Sequence, residues 1–414
     1  MYSGGEEFRF DVLSRKIQML QEDLSWKNVT DKDICTIACH CAQATGANIT
    51  DREVRTVLGS NLVRDIHPLR DYVLSLRPYE PQSGDWIAMV AEQVKVKSRG
   101  VSGIVNTSKT DAESDEYTQA LWTEYFRKWF VAMVASWMYD EVVNHQVLVL
   151  IGRQGTGKTT WLEHLMPPQL RDYVTKQASV RELSKDDRIR IAEFGLINMD
   201  EIDSCTPREL NVLKSVITSS DVNERAAYGH TKERRLRCAS FCASGNNRSF
   251  LSDDTGNRRW LPFEVDSIQN PFFTALPYTM LYSQAWYMIQ HGYNYWFELP
   301  EIEQLETHNE AFRQTCNEEE LLDVYFEAVD PTEPKAVFMT ASEIHAKLKI
   351  WGNITNPMPL NKFGELLKRR GYMPRKIHGG NRGYVVKVTE NLTDKNNRVI
   401  HELLSGAGGA CTSI

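Results

Sequence analysis

An α/β fold, in which short buried strands alternate with helices, is predicted by three runs of residues. Val147–Ile151 is five apolar residues in a row, followed at once by Gly152-Arg153-Gln154-Gly155-Thr156-Gly157-Lys158-Thr159 and a helical stretch to Leu165 that Pro167-Pro168 stops. Leu196–Met199 is a second strand-like run, ending in the adjacent carboxylates of Asp200 and Glu201. Residues 239–244 make a third, ending at Gly245-Asn246-Asn247, and residues 261–265 a further strand. Continuous apolar runs of this length suit strands covered on both faces, as in a parallel sheet.

Around this core the chain of 414 residues has room for several domains, and its 42% hydrophobic and 25% charged residues suit folded protein. No apolar run approaches the roughly 18 residues of a membrane span, so no membrane association is expected. The first residues, Met1-Tyr2-Ser3-Gly4-Gly5-Glu6-Glu7, lack the basic-then-apolar order of a targeting segment, and a bacterial cytoplasmic location is expected. Eight cysteines spread along the chain are expected reduced. Cys35, Cys39 and Cys41 flank His40, but no second pair follows at zinc-ligand spacing, so they read as buried helix cysteines, as do Cys238 and Cys242.

In chain order, residues 1–115 are expected to form a mostly helical front domain after a short extended piece around residues 8–19. Thr30 and Thr50, each followed by acidic residues, mark helix starts at 31 and 51. Residues 98–115, rich in Gly, Ser, Thr and Asp, read as a mobile loop. Within residues 117–143, Leu121, Tyr125, Trp129, Met133 and Trp137 recur at four-residue steps and predict one buried helix face. The core spans 116–270. A helical connector follows at 271–330, including an aromatic-rich helix to Gly292 read as a buried stripe and a helix start at Asn317-Glu318-Glu319-Glu320. A basic module is placed at 331–390 and a flexible tail at 391–414.

The octapeptide from Gly152 fits G-x-x-x-x-G-K-[ST], whose glycines let backbone N–H groups curl around phosphate oxygens. Gly152, Gly155, Thr156, Gly157, Lys158, Thr159 and Thr160 are therefore the candidate nucleotide contacts. Lys158 is expected to reach the β and γ phosphates, and the Thr159 hydroxyl to face Mg²⁺. Asp200 is the second metal residue, and Glu201 the group that polarises an attacking water. Asn246, at the tip of the third strand, is placed to orient that water. Arg258 and Arg259, in Thr255-Gly256-Asn257-Arg258-Arg259-Trp260, either stabilise transition-state charge or form a surface ion pair. Asn198, inside the second strand, breaks its apolar pattern.

Residues 225–237 carry Arg225, Lys232, Arg234, Arg235 and Arg237 about a Tyr228-Gly229-His230 turn, read as a hairpin whose basic flanks either touch a nucleic-acid backbone or are merely solvated. The order of these elements resembles the virulence-associated protein E family of phages and bacterial mobile elements, whose core is similar to superfamily 3 helicases. The resemblance rests on the phosphate loop, Asp200-Glu201 with Glu209-Leu210-Asn211-Val212-Leu213-Lys214, the stretch from Arg225 to Gly229, and above all Ala243-Ser244-Gly245-Asn246-Asn247 to Thr255-Gly256-Asn257-Arg258-Arg259-Trp260-Leu261-Pro262, across roughly residues 65–265. It implies an AAA+ type ATPase assembling into rings, commonly hexamers, with ATP and Mg²⁺ between subunits. By the same resemblance Asp200 and Glu201 form the Walker B pair, Asn246 is the sensor, Arg258 or Arg259 is the finger acting across subunits, and the 225–237 hairpin faces DNA in the channel. Asn198 and Ser244-Gly245 depart from the family pattern. The segment before the core is too short for the primase-polymerase module many relatives carry, so priming is expected either from a separate primase or not at all.

Residues 335–389 hold 11 Lys or Arg against two Glu, a local +9 that leaves −16 for the rest of a chain of net charge −7. Helices from Thr340 and over 360–370, then two strands around Gly379-Gly380-Asn381, predict a winged helix, which binds DNA or docks protein. Lys368, Arg369, Arg370, Arg375, Lys376 and Arg382 are its candidate phosphate contacts. The leading functional expectation is an ATP-driven DNA helicase of a mobile element acting in replication on single-stranded or forked DNA. Its alternatives are a DNA-dependent ATPase that remodels or loads partners without unwinding, and a nucleotide-controlled DNA-binding regulator.

Overall fold

The computed structural model describes residues 7–97, 111–177, 191–224, 233–251, 256–313, 317–352, 354, 357–376 and 382–389. These divide into two units, 1–313 and 314–414. The apolar runs of the first unit become the strands of one six-stranded sheet, in the order β5-β12-β6-β11-β8-β7. Here β5 is Val94–Val96, β6 Val147–Ile151, β7 Val174–Gln177, β8 Leu196–Met199, β11 Ser240–Gly245 and β12 Trp260–Ile268. Each pairing is parallel except that of β5 with β12. Alternation along each strand sends side chains to opposite faces. Leu148 and Leu150 join one core cluster, and Val147, Val149 and Ile151 the other.

The first cluster is closed by helices α3 (Pro68–Ser75), α4 (Trp86–Ala91), α5 (Asp111–Met138), α6 (Lys158–His164) and α8 (Tyr278–Gln290); the second by α7 (Pro207–Thr218). The four-residue spacing on α5 buries Tyr125, Trp129, Met133 and Trp137 as predicted, and Trp122, Phe126 and Phe130 as well, because the helix is covered on most sides. Its indoles are satisfied by distant carbonyls: Trp129 donates to Phe241 at 3.1 Å and Trp137 to Gly195 at 3.3 Å. Truncating such a buried Trp costs about 3–5 kcal/mol, part of it the cavity left behind.

Helices alone do not make the front of the chain. Strands β1 (Phe8–Asp11), β2 (Lys16–Leu20), β3 (Trp26–Asn28) and β4 (Arg64–Ile66) form a sheet in the order β3-β2-β1-β4, packed on α1 (Asp31–Thr45) and α2 (Asp51–Leu58). Strands this short carry too few alternations to be read locally, and β4 pairs in parallel with β1 from far along the chain. Both helices start where expected, through reciprocal capping boxes between Thr30 and Asp33 and between Thr50 and Glu53. Cys35 and Cys39 are exposed, not buried, since the apolar face of α1 is Ile34, Ile37 and Ala38, one step away from them. Residues 111–115, expected within a loop, already belong to α5, and 98–110 lie outside the described residues.

In the second unit α10 (Asn317–Tyr325), α11 (Ala341–Trp351) and α12 (Leu360–Arg369) pack on β13 (Phe326–Ala328), β14 (Val337–Met339) and β16 (Arg382–Val388), with β15 (Arg375–Lys376) against β16. Leu322 and Phe326, assigned from sequence to the connector, are buried in this unit's core with Leu348, Phe363 and Val386. The helix, helix and strand-pair order expected after Thr340 is present, and the turn at 377–381 and the tail from 390 lie outside the described residues.

Candidate functional site

Strand β6 delivers the chain to a glycine loop at its carboxyl end. Gly155 and Gly157 adopt φ of +82° and +84°, a left-handed backbone that a side chain would strain, and Gly157 caps α6. Lys158 is buried and donates from Nζ to the carbonyls of Gly152 and Arg153, both at 2.8 Å, and to Thr156 Oγ1 at 3.4 Å. Burial pushes its ammonium pKa down, and the carboxylates of Asp200 and Asp203 oppose that shift. Thr160 lies one residue into the helix beyond Thr159, its carbonyl 2.7 Å from His164 Nδ1.

The three strand ends meet here. Thr159 Oγ1 donates to Asp200 Oδ1 at 3.1 Å, Ser244 Oγ donates to the same oxygen at 2.6 Å, and the two hydroxyls are 2.9 Å apart. Asn246 Oδ1 is 3.5 Å from Lys158 Nζ. Thus loop, acid and strand-tip asparagine, read from separate segments, come together in one place. Glu201 is exposed and holds a φ of +55°, unusual for a residue with a side chain. The hard oxygen donors of Thr159 and Asp200 fit a small divalent cation such as Mg²⁺.

Both departures from the expected pattern have physical reasons. Asn198 is fully buried, and its Nδ2 donates to the Thr159 carbonyl at 3.1 Å, tying the acid-bearing strand to the phosphate-loop helix. Ser244 contributes its hydroxyl to the Asp200 cluster, and at Gly245 an added Cβ would lie 2.8 Å from Asp203 Oδ1 and 2.9 Å from Ile151 Cδ1. Sequence reading passed over Asp203, which accepts from the amides of Asn246 at 3.1 Å and Asn247 at 2.9 Å. A signal existed: a strand ending at Met199 and a helix capped at Thr206 leave only a short connection between them, where an Asp side chain accepts from backbone amides.

Arg258 and Arg259 are elsewhere. They precede Trp260, which pairs with Val147 at the start of β6, whereas the phosphate loop follows the end of β6. A strand of this length separates them by roughly 15 Å from the loop of their own chain. They line a cavity of about 220 Å³ with His145, Trp296 and Phe297. Burial lowers the His145 pKa, and Arg237, Arg259 and Arg258 lower it further.

The nucleic-acid candidates divide. Strands β9 (Asp221–Glu224) and β10 (Glu233–Leu236) pair antiparallel as the hairpin reading requires, while Arg225 and Lys232 lie outside the described residues, as does the side chain of Arg234. Arg235 pairs with Glu193 at 3.1 Å. Arg237 is a correction: it is 3% exposed and donates to the carbonyls of Ser219, Ile217, Asn144 and Ala239, so no phosphate reaches it. Desolvation brings its pKa down to about 10.

In the second unit Glu319 is 1% exposed and binds Arg370 at 3.1 Å and Arg369 at 3.5 Å, and Arg370 also meets Asp323 at 2.8 Å. The acidic run at 318–320 is therefore partly interior, since folding places it against these two arginines. Arg375 is exposed, 3.7 Å from Asp330. Lys368, Lys376 and Arg382 are exposed with no carboxylate partner among the described residues.

Residues 99–314 match the family model of the virulence-associated protein E-like domain. Among solved structures, the apo C-terminal region of NrS-1 is similar at 10% identity and a TM-score of 0.48, over 93% of this chain and 96% of that one. A point mutant of Thermotoga maritima RuvB is similar at 12% identity and a TM-score of 0.25, over 67% and 94%. Comparison with curated proteins finds no match. Among the described residues, no helix is long and apolar enough to cross a membrane.

Proposed function

The chain belongs to the virulence-associated protein E-like family, and from that premise we propose that it is an ATP-dependent DNA helicase of a phage or mobile genetic element, acting in DNA replication in the bacterial cytoplasm. The observation that carries the reading is the meeting of Thr159, Ser244 and Asp200 within 2.6–3.1 Å beside Lys158, which unites the phosphate loop with the carboxylate strand. In this reading Lys158 holds the β and γ phosphates, Glu201 takes a proton from the attacking water, and Asn246 orients that water. Thr159 and Asp200 hold Mg²⁺ which, when bound, offsets phosphate charge.

The strand order, with the loop strand inside a parallel sheet, suits an AAA+ core. Its arginines at the far end of β6 cannot serve their own loop, which supports a ring in which Arg258 or Arg259 reaches a neighbour's ATP. The hairpin of β9 and β10 and a winged-helix second unit then meet single-stranded or forked DNA.

Forked-duplex unwinding by the purified protein, beside the Glu201→Gln variant, tests this. Strand displacement is expected from the unaltered chain and lost in the variant, which still binds ATP. DNA-stimulated hydrolysis without displacement means a remodelling ATPase, and DNA binding that is equal in the Glu201→Gln variant, with no DNA-stimulated turnover, means a nucleotide-controlled regulator.

A further inference from the structure

We propose that Asp203 is a positioning residue for ATP hydrolysis, clamping the sensor asparagine onto the loop that carries Glu201. The inference rests on the ATPase reading above. Three observations carry it. Asp203 presents Oδ1 to the Asn246 amide at 3.1 Å and Oδ2 to the Asn247 amide at 2.9 Å, so both oxygens of one carboxylate grip consecutive backbone N–H groups. The approach is close enough that Gly245 has no room for a side chain, since a Cβ there would meet Asp203 Oδ1 at 2.8 Å. The turn bearing Asp203, Ile202–Ser204, begins immediately after Glu201, whose φ of +55° is fixed at its entrance, and Ile202 is buried beneath it.

The consequence is mechanical. Asn246 Oδ1 lies 3.5 Å from Lys158 Nζ, so the clamp sets the distance between the sensor and the phosphate-binding ammonium. It also makes the position of Asn246 depend on the same turn that aims Glu201. A carboxylate is required because two amides must be accepted at once, one by each oxygen. An asparagine in its place keeps one acceptor and an alanine none. Asp203 touches no ligand itself; it acts through the placement of Asn246.

The test is steady-state ATP hydrolysis by the full chain carrying Asp203→Ala, Asp203→Asn, Asn246→Ala or Asp203→Ala with Asn246→Ala, alongside binding of a fluorescent ATP analogue. Misplacing a catalytic group by about 1 Å costs up to about 10²-fold, so kcat is expected to fall about 10- to 100-fold in Asp203→Ala and less in Asp203→Asn, with analogue affinity nearly unchanged. Because Asp203 acts through Asn246, the double variant is expected to match Asn246→Ala alone. A kcat for Asp203→Ala equal to that of the unaltered chain, or a double variant showing the product of the two single losses, overturns the proposal. If the alanine variant does not fold, Asp203→Asn decides, with an unaltered kcat again counting against the clamp. Absence of hydrolysis in the unaltered chain strikes the ATPase reading, an outcome distinct from normal turnover that ignores Asp203.

Discussion

Lys158 and Arg237 are both buried cations that donate to backbone carbonyls, yet they do different work. Lys158 binds Gly152 and Arg153, carbonyls of the loop it closes, beside the carboxylates of Asp200 and Asp203. Arg237 binds carbonyls at the end of α7, at the start of β11 and before β6, so it joins segments far apart in the chain. A cation that ties a loop to itself can exchange those bonds for phosphate oxygens without loosening the fold. One that ties several segments together cannot leave. The same residue chemistry thus marks a site in one place and architecture in the other, and the reach of its partners decides which.

Arg237→Ala gives the largest separation between the two. It orphans buried carbonyls on three segments, and each unpaired buried group costs about 1–3 kcal/mol, so a loss of about 3–5 kcal/mol is expected in urea unfolding. Lys158→Ala in the same assay is expected to lose little stability while hydrolysis drops about 10²- to 10³-fold, the scale for removing a charge-stabilising donor. If Arg237→Ala keeps its unfolding midpoint and loses only DNA binding, the architectural assignment fails.

Arg258 and Arg259 sharpen the contrast at intermediate scale. Both line one cavity, and each repels the other, since Arg258 joins burial in lowering the Arg259 pKa. A finger acting across subunits is worth about 10³–10⁵ in rate where it is supplied by a neighbour. One of the two single alanine variants is therefore expected to bind ATP normally and hydrolyse it slowly, with turnover recovered in rings mixed with Lys158→Ala subunits. Normal hydrolysis by both variants removes the finger.

The legibility of the molecule follows the range of its interactions. The phosphate loop, the Asp200 strand and Asn246 were readable because each is a local pattern joined to a buried strand, and a parallel sheet brings strand ends together at one edge. The front sheet was not, since β1 and β4 pair across two intervening helices and neither is long enough to show its alternation. Charge counting located the basic segment after residue 335 but not which of its arginines are held in ion pairs. That depends on Glu319, whose burial on α10 and ion pairs with the end of α12 only the folded unit reveals. Asn198 looked like a flaw in a strand and is a tie between two motifs, because a buried amide can serve a carbonyl that no hydrophobe could.

The smallest effects are expected on the second unit, where exposed and committed cations stand side by side. If Lys368, Lys376 and Arg382 contact phosphates, replacing each with alanine lowers the slope of log affinity against log salt for duplex DNA by close to 0.9. Arg370→Ala removes a charge too, yet it leaves Glu319 with a lost partner in the interior. Its expected signature is about 1–3 kcal/mol of lost stability, from a buried carboxylate left with fewer donors, with the salt slope nearly unchanged. The four variants measured together by fluorescence anisotropy across a salt series and by thermal unfolding separate charge open to a ligand from charge committed to an ion pair. Equal slopes for all four, and none changed from the unaltered chain, would move this unit from nucleic acid to protein docking, where the same exposed lysines face an acidic partner.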